Sequence, residues 1–140
     1  MLYVEDNPSS LHLMEEIIAL IPNVQMLSAH NAELGLELAR KYRPDVILMD
    51  INLPGMNGTE ALEELKRIKE TRTIPVVALS ANAGESDIRK GLKAGFHNYL
   101  TKPIRVTEVL SEIEAAIEEG TSRMASGTET APTPRSSATG

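Results

Sequence analysis

Five polar side chains stand where short apolar runs of this chain end. Asp50 closes Val46-Ile47-Leu48-Met49, and the loop Ile51-Asn52-Leu53-Pro54-Gly55-Met56-Asn57-Gly58 follows at once. Glu5 and Asp6 follow Leu2-Tyr3-Val4, Ser80 closes Pro75-Val76-Val77-Ala78-Leu79, and Lys102 comes just after Asn98-Tyr99-Leu100-Thr101. If the fold gathers these ends, three carboxylates, a hydroxyl and an ammonium share one rim. Two unit charges about 4 Å apart repel by about 4 kcal/mol at an effective dielectric of 20, so the carboxylates need a cation among them. Oxygen donors without His or Cys select a hard cation, Mg²⁺ first and Mn²⁺ second. A lysine, a hydroxyl and a divalent metal around one aspartate suit phosphoryl transfer, with Asp50 as the nucleophile that forms an acyl phosphate. Lys102 and the metal would offset charge on the equatorial oxygens, and Ser80 would add a hydrogen bond.

The elements that must position these groups are legible from periodicity. The run ending at Asp50 is continuous rather than alternating, which suits a strand covered on both faces of a parallel sheet. Asn7-Pro8 reads as a cap with proline at the first helical position, and Leu11, Met14, Ile17, Ile18 and Ile21 keep helical spacing up to Pro22. Val24 to Ala29 reads as a strand, and Asn31 caps a helix through Tyr42. A strand over Asp45 to Met49 and an amphipathic helix over Gly58 to Lys69 come next. Then follow a strand over Pro75 to Ser80 and a weakly patterned helix over Gly84 to Ala94. A short strand over Asn98 to Thr101 and a helix marked by Val106, Val109, Leu110, Ile113 and Ile117 complete the set. Five β–α units with right-handed crossovers give an α/β, flavodoxin-like, doubly wound parallel sheet in the order 2-1-3-4-5. Ligands of such sheets bind at the carboxyl ends of the strands. Gly55 and Gly58 are expected to serve a turn that needs positive φ.

Bulk properties narrow the function classes. The chain has 140 residues, no Cys or Trp and one Phe, so the core is largely aliphatic and there are no disulfides or thiolate metal sites. No apolar stretch approaches the roughly 18 to 20 residues that span a bilayer, and no signal peptide is visible, so a cytoplasmic location without membrane contact is expected. Net charge is −6. From Gly120 on there are two Arg and one Glu, which leaves −7 on residues 1–119, an unsuitable balance for direct nucleic-acid binding. That segment, 120–140, has 17 Gly, Ser, Thr, Ala or Pro among 21 residues and reads as a disordered low-complexity tail or linker.

Taken in order, Glu5-Asp6, Asp50 in VILMDINLPGMNG, Ser80-Ala81 in PVVALSA and Tyr99 with Lys102-Pro103 in GFHNYLTKP resemble the motifs of a two-component response regulator receiver domain. The resemblance covers residues 1–119. It implies that Asp50 is the phosphoacceptor. Asp6, Asp50 and the Asn52 carbonyl would be the Mg²⁺ ligands, with Glu5 helping. Lys102 would pair with the phosphoryl group, Ser80 would be the switch hydroxyl, and Tyr99 the aromatic that follows it inward. It implies a cis Lys102–Pro103 peptide, although an X–Pro bond alone is cis in only about 5–6% of cases. The implied partner is a histidine kinase or a histidine phosphotransfer protein, and the domain would catalyse its own phosphorylation and dephosphorylation. Glu5 stands where many receivers have Asp, and its extra methylene favours a water-bridged contact over direct ligation. Only Met1 to Val4 precede the acidic pair. Strand 1 is thus expected to be poorly anchored, and the chain leans toward a receiver excised from a hybrid histidine kinase rather than a stand-alone one.

Competing readings are weaker. An aspartate-nucleophile phosphohydrolase usually needs a second Asp two positions on as general acid, and Asn52 occupies that place. A non-phosphorylated interaction module would keep the fold but has no need of the acidic, hydroxyl and lysine set. His12, His30 and His97 read as surface residues. Asn82 reads equally as a residue facing the attacking water and as a helix cap. Arg89, Lys90, Lys93 and Arg105 read as solvated surface, the family alternative being a partner or weak homodimer face between the fourth and fifth helices.

Overall fold

The structure is a computed structural model, and it describes residues 1–81 and 84–116. In chain order the elements are β1 (Leu2–Val4), α1 (Pro8–Ile18), β2 (Leu27–Ala29), α2 (Ala32–Tyr42), β3 (Ile47–Asp50), α3 (Gly58–Arg67), β4 (Val76–Ser80), α4 (Glu85–Ala94) and β5 (Asn98–Thr101). A last helix, α5, covers residues 106–116. All strand pairs are parallel, in the order β2-β1-β3-β4-β5. Asn82, the end of the final helix from Ile117, and the segment 120–140 lie outside the described residues.

Strand alternation sends successive side chains to opposite faces, and each face has its own core. Leu2, Val4, Ile47, Met49, Val76 and Ala78 meet α2 and α3 through Ala32, Ala39, Leu62 and Leu65. Tyr3, Leu48, Val77 and Leu79 meet α1 and α5 through Met14, Ile17, Val109 and Ile113. The three residues of β1 are fully buried and pair with β2 on one side and β3 on the other. This corrects the expectation of a poorly anchored first strand: its place inside the sheet, paired on both sides, offsets its shortness.

Helix starts follow the side chains that can accept orphan amide protons. Asn7 Oδ1 accepts from the Ser9 and Ser10 amides at 2.8 and 3.2 Å, and Pro8 needs no partner at the first position. Asn31 caps α2 through the Leu34 amide at 2.8 Å. Asn57 and Glu60 form a reciprocal capping box on α3.

Several boundaries differ from the expected ones. α1 ends at Ile18, and the amides of Leu20 and Ile21 turn back to Ile17 and Ile18 in a tightened last turn before Pro22. β2 is confined to Leu27–Ala29, because the three-residue β1 is its only neighbour. β3 begins later than expected and takes in Asp50. Gly55 has φ +75 as expected, but Gly58 does not share a positive φ; its requirement is spatial.

Candidate functional site

β1, β3, β4 and β5 end on one rim, and the register sets their polar ends side by side. Asp50 pairs with Leu79, one residue before Ser80, and Ser80 pairs with Thr101, one residue before Lys102. Lys102 is tied to β4 by its own amide, which donates to the Ser80 carbonyl at 2.8 Å. From there its Nζ reaches Glu5 Oε1 at 2.9 Å and Asp50 Oδ2 at 3.1 Å. Asp50 Oδ1 accepts from the Asn52 amide at 2.9 Å, so both of its oxygens are held.

The loop after Asp50 folds back on the strand. The Ile51 amide donates to Leu79, and the Gly58 amide donates to the Ile51 carbonyl at 3.1 Å. A Cβ on residue 58 would stand 2.8 Å from Ile51 Cα and 2.9 Å from the Asp50 carbonyl oxygen. Glycine is required there because backbone, which cannot yield, fills the space.

Glu5, Asp6 and Asp50 each offer an oxygen, and these lie within 4.8 Å of one another. Glu5 and Asp50 are buried and Asp6 is exposed. An oxygen-only cluster with one side open to solvent matches the donor preference of a hard divalent cation. Asn52 is exposed at the mouth of the loop, Ser80 is buried, and the Lys102–Pro103 peptide is cis. Tyr99 is half-buried, with its ring against Gly91 of α4.

Burial pushes the Glu5 carboxyl up from the ordinary value of 4.5; the Lys102 hydrogen bond opposes this, and the charge of Asp50 adds to it. For Lys102, burial alone would depress the ammonium, but the bonds to Glu5 and Asp50 outweigh it and the net shift is upward. A folded-state value above the unfolded one means that Glu5 contributes most to stability below pH 4.5 and that this is lost as pH rises through the folded value. In metal-free protein, Glu5→Gln should therefore lose stability relative to the wild type on acidification from pH 7 to pH 5. Denaturation midpoints at the two pH values check this; a constant difference, or one of opposite sign, contradicts it.

Sequence reasoning missed Tyr3. Its hydroxyl donates to Glu5 Oε1 at 3.1 Å from a fully buried ring, and the Asn7 amide donates to Glu5 Oε2 at 3.2 Å. Burial first, and then the neighbouring Glu5 charge, push the Tyr3 phenol strongly upward, so it stays a donor. The extra methylene of Glu5 thus carries its carboxylate toward Tyr3 and Lys102. The missed signal was the strand period of two, which puts residues 3 and 5 on one face. His12, expected on the surface, is exposed and lies 3.9 and 3.3 Å from Glu15 and Glu16. Arg89, Lys90, Lys93 and Arg105 are all exposed.

A doubly wound parallel sheet whose strand ends gather carboxylates around one lysine defines a receiver-type domain. Residues 1–114 match the family model of the response regulator receiver domain. The chain belongs to that family. Protein PilH of Pseudomonas aeruginosa is 36% identical over 116 residues, spanning 83% of this chain and 95% of PilH. The polar-differentiation response regulator DivK of Brucella anthropi is 37% identical over 112 residues, spanning 80% and 90%. Among solved structures, the receiver domain of the sensor histidine kinase PA1611 from P. aeruginosa, with a magnesium ion coordinated in its active-site cleft, superposes with a TM-score of 0.75. It is 31% identical and covers 84% of this chain and 95% of that one. Among the described residues, no helix is long and apolar enough to cross a membrane.

Proposed function

We propose that this receiver is a phosphorylation-dependent switch in which Asp50 takes a phosphoryl group from the phosphohistidine of a histidine kinase or phosphotransfer protein. The observation that carries this reading is the Lys102 ammonium held between Glu5 Oε1 and Asp50 Oδ2 beside the exposed Asp6. In the transfer, an Asp50 oxygen bonds to phosphorus as the donor's P–N bond breaks. The electron pair stays on the imidazole nitrogen, which regains a proton from solvent. The bond from the Lys102 amide to the Ser80 carbonyl holds the residue at this rim, and Lys102 offsets the charge delivered to Asp50.

Asp6, Asp50 and the Asn52 carbonyl would hold Mg²⁺, with Glu5 helping from its buried position, and Mn²⁺ would suit the same oxygens. When bound, such a cation supplies Lewis-acid stabilisation of phosphoryl oxygens. The magnesium in the related PA1611 receiver domain supports this assignment. The added charge of about −2 gives Ser80 a new acceptor, and Tyr99 follows it, changing the partner preference of the face formed by α4, β5 and α5. The domain is then a signalling module of the cytoplasm that catalyses its own phosphorylation and dephosphorylation.

Acetyl phosphate with Mg²⁺ should add one phosphoryl mass to the intact protein, and a chelator should abolish the gain. Unchanged mass with Mg²⁺, or an equal gain in its absence, contradicts the reading.

A further inference from the structure

Gly91 lies in the interior of α4 and is that helix's buried residue. Glycine destabilises a helix interior relative to alanine, so its presence there calls for a spatial reason. A Cβ at position 91 would stand 2.6 Å from Tyr99 Cδ2 and 2.9 Å from Cε2. The Tyr99 ring therefore occupies the volume that any other side chain at 91 would need. Beside this seat is a cleft of about 280 Å³, lined by Ile51, Thr59, Lys90, Phe96 and Tyr99 among others. Tyr99 pairs with Ala78, two residues before Ser80 on the same face of the sheet. The ring thus has its seat on α4, and the sheet surface leading from Ala78 to Ser80 lies on its own side.

We propose that Gly91 is a positioning residue: it forms the notch on α4 that seats the Tyr99 ring, and so sets how readily the ring leaves α4 when Asp50 is phosphorylated. The second part rests on the switch reading given above. Filling the notch evicts the ring in the resting protein, removing one cost of reaching the phosphorylated arrangement.

Gly91→Ala, Tyr99→Ala and the double variant of the full chain test both parts. In a thermodynamic cycle of denaturation midpoints, Gly91→Ala should lower the midpoint when Tyr99 is present and raise it in the Tyr99→Ala background. An equal change in both backgrounds overturns the seat. With the three tyrosines isotopically labelled, Gly91→Ala should shift the Tyr99 ring resonances and leave Tyr42 unmoved, which general destabilisation would not do; an unmoved Tyr99 also overturns it. At subsaturating acetyl phosphate with Mg²⁺, the phosphorylated fraction relative to the unphosphorylated should rise roughly threefold in Gly91→Ala. A wild-type ratio overturns the link to phosphorylation. If wild type and variant both fail to gain phosphoryl mass, the phosphoacceptor reading falls with that link, while the cycle still judges the seat independently.

Discussion

Lys102→Met should reduce the rate of Asp50 phosphorylation by acetyl phosphate by about a hundredfold to a thousandfold, the loss typical of removing one preorganised charge-stabilising donor. The thioether keeps most of the aliphatic stem and deletes the ammonium that contacts Glu5 Oε1 at 2.9 Å and Asp50 Oδ2 at 3.1 Å. Two carboxylates then face each other without a counter-charge, one 1% and the other 6% exposed by side chain. Breaking a buried ion pair costs about 3–5 kcal/mol; the 26% exposure of the Lys102 side chain brings the expected destabilisation of metal-free protein to about 2–4 kcal/mol. Added Mg²⁺ should restore part of this in the variant, since the same carboxylates would hold it. Denaturation with and without Mg²⁺, together with phosphorylation time courses, measures both effects. A variant that phosphorylates at the wild-type rate contradicts the role given to Lys102.

Gly58→Ala should be the second most damaging of these changes, although residue 58 carries no functional group. Its methyl would meet Ile51 Cα at 2.8 Å and the Asp50 carbonyl at 2.9 Å, and neither can move without shifting the strand end that presents the Asp50 carboxylate. Overpacking of this kind costs about 1–3 kcal/mol. Displacing the Asn52 amide from Asp50 Oδ1 should slow phosphorylation by about ten- to a hundredfold, because misplacement by about 1 Å has effects of that size. Gly55→Ala is the matched control. Gly55 has φ +75 and nothing within 4 Å of a built Cβ, so only backbone strain of about 1–2 kcal/mol is expected, with a much smaller rate effect. Equal phosphorylation rates in the two variants would show that loop closure does not position Asp50.

How much of this was legible in the sequence depended on whether a signal was local or spatial. The apolar runs ending at Asp50 and Ser80, the caps at Asn7 and Asn31, and the strand order could all be read, because burial, capping and crossover handedness act on neighbouring residues or follow general rules. The short β2 and the early end of α1 could not. β2 is limited by the length of its neighbour, and the spacing of Ile21 continues beyond the point where Pro22 constrains the backbone. The two glycines of the Asp50 loop looked alike, yet one needs a dihedral angle and the other needs space, a distinction that appears only when the loop closes on β3. Tyr3 was hidden in an apolar run. Its ring is core, and only the side-chain direction of Glu5 makes its hydroxyl part of the site.

The central claim is that Asp50, and not Asp6 or Glu5 beside it, carries the phosphoryl group. The most direct measurement is borohydride reduction of the protein after treatment with acetyl phosphate and Mg²⁺, followed by peptide mass mapping, since hydride converts an aspartyl phosphate to homoserine. Homoserine at position 50 alone, absent from Asp50→Asn, is the expected result. Reduction at position 5 or 6, or an unreduced residue 50 in protein that has gained phosphoryl mass, would contradict it.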